Sequence, residues 1–320
     1  MKTQRIEYID TAKGLLITLV IIGHILIVLN PGYERLVLAM GQSFISGFHM
    51  PAFFILHGIL FSPEKWKRAA LRDYIKSRTL TRLVPYVFFE ILGIVVRHIL
   101  YGQDWLTGLM NMVTVRCNVG ADWFLPAMFM GAMLLLIHVK LSNPIIGWAS
   151  AVCSLVLPMV FPKTQLGIVI CRGLMGYGFI MIGYLGRKWF VRHKTCLMPT
   201  AIAMGITVLV AIVNLKWGGN DLYSATVTNP ITLIVGGISG TILVLEFSKW
   251  LSNRVLAGVG QQSLIIMGTH QLIIYSITSL IPAVRGGHLM WGLAIFLIIT
   301  LAEIPICWFL KRYFPFLVGK

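Results

Sequence analysis

Apolar residues run through this chain in long blocks, interrupted by short clusters of basic residues, Gly, Pro and Asn. A helix needs roughly 20 apolar residues to cross a hydrocarbon core about 30 Å thick. By that measure the pattern predicts ten helical spans, near 13–29, 42–61, 83–101, 123–139, 144–161, 166–186, 198–215, 230–247, 257–281 and 289–310. The connections at Ser142 to Pro144 and at Pro162 to Gln165 are so short that two spans there either stay separate or merge. The expected fold is all-α, a polytopic integral membrane protein whose single transmembrane domain occupies residues 1–320.

Composition agrees with that pattern. The chain is 57% hydrophobic and 12% charged, with a mean hydropathy of +0.83, whereas a soluble domain is about a quarter charged. No repeat of fixed period points to a solenoid. Met1 to Asn30 begins with charge and continues apolar, but it lacks a small-residue cleavage site and its apolar stretch is long. It is expected to be a retained first span rather than a signal peptide. The five cysteines (117, 153, 171, 196 and 307) lack C-x-x-C spacing and fall mostly inside apolar runs. They read as core residues, and neither a disulfide framework nor a metal site is expected.

The balance of 27 Lys+Arg against 11 Asp+Glu, net +16, would suggest nucleic acid in a soluble protein. Position argues otherwise. All the basic residues except Arg35, Arg97, Arg116, Lys163, Arg172, Lys216 and Arg285 fall on segments that are cytoplasmic when the N-terminus is inside. That is how a multi-pass protein marks its inner side, so both termini are expected in the cytoplasm, with the lipid bilayer and no nucleic acid as partner.

Ionisable residues within the spans are informative because each is costly there unless it faces protein or a wet cavity. At about 1.5 Å per residue, His24 lies roughly 16 Å beyond Lys13, while His49, Arg97, His98, Arg172 and His270 lie at about 20 Å. They form an expected polar layer near the membrane centre. Eleven residues make about three turns plus 20°, so Lys13 and His24 share one face of the first helix. Asp10 precedes Lys13 by one turn and is placed to pair with it.

Several motifs occur in a recognisable order: Arg5-x4-Asp10-x2-Lys13-Gly14, then Gly23-His24, then Gly47-Phe-His-Met-Pro-Ala-Phe-Phe-x3-Gly58 and Arg78-x3-Arg82-x2-Pro-Tyr86. Trp123-Phe124-Leu125 and Gly260-Gln-Gln-Ser-Leu264, followed by His270, come later. Together they resemble the membrane-bound acyltransferase-3 family, closest in flavour to its fucose 4-O-acetyltransferase-like members. The resemblance implies an integral membrane O-acyltransferase in a cell membrane, bacterial inner membrane by type. It would take an acyl group, usually acetyl, from acyl-CoA on the cytosolic side and deliver it to a hydroxyl, commonly on a cell-envelope glycan. No tightly bound cofactor is implied. His24, Lys13 and His49 would form the catalytic set, Arg78, Arg82 and Arg5 the donor site, and Asp10, His57, Trp123, Arg172 and His270 substrate contacts. The chain departs from the family pattern at Thr79, where a second arginine is common, and at His57, where the Phe-Phe-x-x-Ser-Gly motif has serine.

Acyl transfer from a thioester to an alcohol needs a base for the hydroxyl proton and donors for the developing oxyanion. His24 suits the base, although an intramembrane histidine also serves simply to bond one helix to another. His49 and His270 read either as groups that position the acceptor, orient His24 or supply an oxyanion donor, or as links between helices. Arg78 and Arg82, four residues apart, share a helix face suited to phosphate oxygens and equally suited to marking the cytoplasmic side. Arg172 requires a partner, for which Glu90, Glu303 or a backbone carbonyl is expected. Asp122-Trp123 reads as an interfacial anchor or a surface for sugar stacking. A transporter or flippase of an envelope precursor would also need ten spans and a polar centre, but the two halves show no repeat and no matched broken helices.

Overall fold

A computed structural model describes residues 7–68, 70–141, 143–192 and 196–319, with the side chains of 67, 68, 144 and 192 left out. Arg5 lies outside the described residues. The described chain is helical, its only β pairing being an isolated bridge between Asp221 and Thr226. The helices are α1 (Glu7–Leu29), α2 (Leu36–Ser46), α3 (His49–Ile59), α4 (Pro63–Arg68), α5 (Leu71–Arg78), α6 (Val84–Tyr101), α7 (Trp105–Val113) and α8 (Phe124–Leu141). They continue as α9 (Pro144–Val156), α10 (Gln165–Arg192), α11 (Leu197–Trp217), α12 (Pro230–Trp250), α13 (Arg254–Gln261), α14 (Ser263–Leu280) and α15 (Leu289–Tyr313).

Among the described residues, eight helical stretches are long and apolar enough to cross a bilayer. Two of the ten expected spans are not among them. The expected span at 42–61 is broken at Gly47-Phe48 into α2 and α3, each of 11 residues, or about 16 Å of helix. The expected span at 144–161 is α9, 13 residues closed by a 3₁₀ turn at Leu157–Met159. The ninth expected span divides at Gln262 into α13 and α14. Between α5 and α6 the chain makes a π-turn at Thr79–Leu83, a wider winding often found near functional sites.

The boundaries have local causes. Asn143 and Asn229 cap α9 and α12 by accepting from two backbone N–H groups each, and a proline follows each, where its missing N–H costs nothing. Gly102 ends α6 at φ +63°, a left-handed conformation that glycine adopts without strain.

Loops gather at two ends of the bundle. At one end Arg35 donates to the carbonyls of Leu29, Gly286 and Gly287, and Lys163 donates to Ala225 O at 2.8 Å. At the other end, which holds the start of α1, Arg187 lies 3.9 Å from Glu64 and donates to Phe61 O. The Cys196 N–H reaches the Glu246 carboxylate there. Hereafter these are the far face and the N-terminal face.

Two helix pairs approach until their backbones touch. A methyl group on Gly58 of α3 would strike Ile180 O of α10, and one on Gly183 of α10 would strike Ile55 O of α3. Gly14 of α1 and Gly260 of α13 interlock in the same way against Leu256 O and Asp10 O. Small residues at such crossings let lipid-embedded helices gain close van der Waals contact. Gly183→Ala and Gly260→Ala are therefore expected to destabilise the detergent-solubilised protein by about 1–3 kcal/mol each. Gly205→Ala, where a methyl meets nothing within 4 Å, should stabilise it by about 0.5–1 kcal/mol. Thermal unfolding of the three variants measures the contrast, and equal melting temperatures would contradict the close crossings.

Candidate active site

His24 lies on the last turns of α1, beside a cavity of about 770 Å³ bounded by α1, α2, α3, α6, α11, α14 and the far-face loops at 114–123 and 218–223. His49, Trp123, Arg97 and Gln271 share its wall. Gln42, Asn214, Asn220 and Asp221 add polar groups to it, and Tyr33 and Tyr223 add aromatic ones. The cavity thus has the character of a far-face site that reaches inward to an imidazole.

Three histidines converge here from three helices. The His24 and His270 ring centroids are 5.2 Å apart at an interplanar angle of 41°. The His270 Nδ1–H donates to Ile266 O at 2.7 Å, which leaves Nε2 with its lone pair, buried and without a hydrogen-bond partner among the described residues. The His49 Nδ1–H likewise donates to Ile45 O at 2.8 Å. Both rings are fixed in one tautomer by a helix carbonyl.

Gln271, which sequence reasoning passed over, sits against His24. Its Nε2 is 3.2 Å from both ring nitrogens. Its Oε1 accepts the Ala121 N–H at 2.8 Å and faces the Tyr275 hydroxyl at 3.4 Å. The Tyr275 hydroxyl in turn accepts the Gly120 N–H at 3.3 Å. An amide directly after His270, midway along α14, was the one signal that could have found it.

The loop that supplies Gly120 and Ala121 is pinned from within. The Glu90 carboxylate accepts N–H groups from Asn118 and Val119 and the Asn118 amide, at 2.7–3.0 Å. Arg97 Nε donates to Asn118 O at 2.8 Å, and its guanidinium lies 5.1 Å from the Tyr275 ring centroid. Of the partners expected for it, Arg172 takes backbone carbonyls and neither Glu90 nor Glu303. It donates to the carbonyls of Tyr223 at 2.6 Å and Val115 at 2.7 Å, and lies over the rings of Tyr223 and Trp123. Glu303 instead accepts from Thr269. Burial, and secondarily the nearby Glu90 charge, push the Asp122 carboxyl well above the usual carboxylate range.

Two sequence expectations change at this point. Trp123 is buried, with 5% of its surface accessible, so it is a wall of the cavity rather than an interfacial anchor. His98 stacks on Trp105 at 4.1 Å and its Nδ1–H donates to Gln103 O. It therefore leaves the expected central layer for the edge of the bundle.

The remaining candidate residues lie apart, toward the N-terminal face. Lys13 pairs with Asp10 at 3.4 Å. The Arg78 guanidinium lies over the rings of Trp66 at 5.3 Å and Tyr74 at 4.8 Å, and Arg82 donates to Thr81 O at 2.7 Å. Arg82, Arg78 and Lys13 are the charges that act on His57. Buried here without hydrogen-bond partners among the described residues are His57 Nε2 and Arg78 Nε. Among the described residues, no group of three His, Cys, Asp or Glu could hold a metal ion.

This arrangement can be set beside known proteins. Nodulation protein NolL of Mesorhizobium japonicum is 29% identical over 128 residues, which is 39% of this chain and 34% of that protein. The match thus spans about a third of the curated relative's length. No solved structure matches the chain. A family model described as an acyltransferase domain matches residues 6–312. With that match running almost from end to end of a multi-helix, apolar fold, the chain belongs to the acyltransferase-3 family.

Proposed function

We propose that the protein is an O-acyltransferase of a bacterial inner membrane that moves an acyl group, acetyl by type, from acyl-CoA to a hydroxyl of a cell-envelope glycan. The observation that carries this reading is His24, which opens onto a large polar and aromatic cavity with His49 and Gln271 beside it. In the reaction His24 accepts the acceptor's hydroxyl proton. The alkoxide oxygen bonds to the thioester carbonyl carbon, the carbon–sulfur bond breaks, and the proton passes from His24 to the departing thiolate. His49 and His270 border the reacting centre as positioning groups: with Nδ1–H bonded to a helix carbonyl, each neutral ring presents an Nε2 lone pair rather than a donor to an oxyanion.

The acceptor reading rests on the wall chemistry. Amide and carboxylate groups at Gln42, Asn214, Asn220 and Asp221 suit the hydroxyls of a sugar, while Trp123 and Tyr223 offer faces for its apolar side. Arg172 supports that wall by holding Tyr223 and Trp123. The donor reading rests on Lys13, Arg78 and Arg82 around His57. They present three cations and an unpartnered ring nitrogen, a set suited to the phosphates of CoA. Arg5 belongs to this donor proposal by motif alone. Asp10 acts through Lys13, the lysine it pairs with.

Three outcomes test the reading. In detergent-purified protein supplied with acetyl-CoA, His24→Ala should lower turnover by about 10² to 10⁴ while the melting temperature stays near wild type. Retention of more than roughly a tenth of the activity would remove His24 as the base. Arg82→Lys keeps the charge and loses the planar fork, so the acetyl-CoA KM should rise several-fold, and further in Arg82→Glu. Equal KM values in all three proteins would take Arg82 out of the donor site. Reporter fusions after Lys320 and near Trp66 should both read cytoplasmic, and an external signal at either would overturn the orientation.

A further inference from the structure

We propose that Gln271 is a positioning residue that holds His24 in its neutral, proton-accepting form, by facing both ring nitrogens with an amide N–H donor whose direction the 114–123 loop dictates. The inference rests on the reading of His24 as the base, and its test is chosen so that the two can fail separately.

The polarity of the amide comes first. An Asn or Gln side chain has interchangeable ends until its partners are known. Here the Ala121 backbone N–H is a donor without ambiguity, and it points at Gln271 Oε1 at 2.8 Å. The Tyr275 hydroxyl accepts the Gly120 N–H, which leaves its own proton free for the same Oε1. Turning the amide over would set its NH2 group against the Ala121 N–H. The NH2 end must therefore face His24.

The consequence for His24 follows from its own donor inventory and from where the amide meets the ring. A neutral imidazole has one acceptor nitrogen in either tautomer, whereas an imidazolium has two N–H donors and no acceptor. An amide nitrogen 3.2 Å from both ring nitrogens lies on neither in-plane lone pair and must sit over the ring face. Its N–H there meets the electron-rich face of the neutral ring in either tautomer, and is repelled by the positive ring of an imidazolium. Gln271 favours the neutral state without dictating the tautomer, so either nitrogen is available to a substrate hydroxyl. The arriving proton then breaks this contact, which favours passing the proton onward.

Other charged or titratable groups surround the ring. His270 faces it from α14 with a fixed Nε2 lone pair, and His49 lines the cavity from α3. Arg97 and Tyr275 lie on the same wall, as do Cys117, Tyr33, Asp221 and Tyr223 from the far-face loops. Among the described residues, Gln271 is the side chain whose amide meets the His24 ring at hydrogen-bond distance. A change confined to residue 271 therefore isolates its contribution.

The deciding experiment uses full-length protein in detergent. Diethyl pyrocarbonate modifies neutral imidazole, so the rate at which the His24 peptide gains the adduct, followed by mass spectrometry across pH, reports the neutral fraction without requiring turnover. Gln271→Glu keeps an acceptor for the Ala121 N–H but offers the ring a carboxylate, which pairs with imidazolium. Its titration midpoint should move up by about one pH unit or more, a tenfold change in the protonation equilibrium. The acid limb of acetyl-CoA hydrolysis should move with it. Gln271→Leu, which removes the donor without adding charge, should lower kcat at least fivefold with the acetyl-CoA KM unchanged. Coincident midpoints for wild type and Gln271→Glu in folded protein would overturn the proposal, whatever the activities. If the midpoint moves while His24→Ala remains active, Gln271 still sets the state of His24 and it is the base reading that fails.

Discussion

A single buried carboxylate fixes the geometry on which the cavity depends. Glu90 has no accessible surface and spends its acceptor capacity on the backbone N–H groups of Asn118 and Val119 and on the Asn118 side chain. Inside a bilayer, irregular backbone persists only where protein or a wet cavity satisfies its polar groups. The 114–123 loop at the far face is buried in protein and meets the same demand through Glu90, which satisfies its inward N–H groups. Everything the loop then presents is set by that clamp: the Ala121 N–H that directs Gln271, the Val115 carbonyl that receives Arg172, and the cavity walls at Cys117 and Trp123. Removing one partner of a buried charged network leaves the other unsatisfied, a larger loss than any one hydrogen bond suggests.

How much of this was legible in the chain depends on the range of the interaction. The long helices follow from apolar run length alone, and the eight stretches able to cross a bilayer fall where runs of that length occur. The break at Gly47-Phe48 had only weak local signals, Ser46-Gly47 and Pro51, within a run long enough to span. What divides it is tertiary: a methyl on Gly240 would strike Phe48, and one on Gly236 would meet Gly47 O, so α12 presses on the break itself. Glu90 and Gln271 escaped for a related reason. Each is a polar residue whose partner is remote in the chain, 28 residues away for Glu90 and 247 for Gln271, and local pattern cannot supply such partners. His24 was legible because its spacing from Lys13 put both on one face of one helix, a local relation. Arg172 was half legible, since burial demanded a partner but could not choose carbonyls over carboxylates.

The two polar clusters are themselves joined by α1. Lys13 and His24 are separated by about 16 Å along that helix, with Lys13 acting on His57 at one end and His24 facing the cavity at the other. The interlock of Gly14 with Gly260 seats α1 against α13 near Lys13, and the Gln271 contact seats it against α14 near His24. One rigid helix therefore fixes the distance between the proposed donor phosphates and the proposed base. On the proposed reaction, a nucleotide held by the donor-site cations near the N-terminal face would require the arm of CoA to extend toward His24. The acceptor needs no access to the N-terminal face, because the groups that suit it lie on far-face loops and on α2 and α11 beside them. A histidine between the two sites is then the one group both substrates must reach. Its protonation state is accordingly the variable that the surrounding backbone, through Ala121 and Gln271, is built to hold.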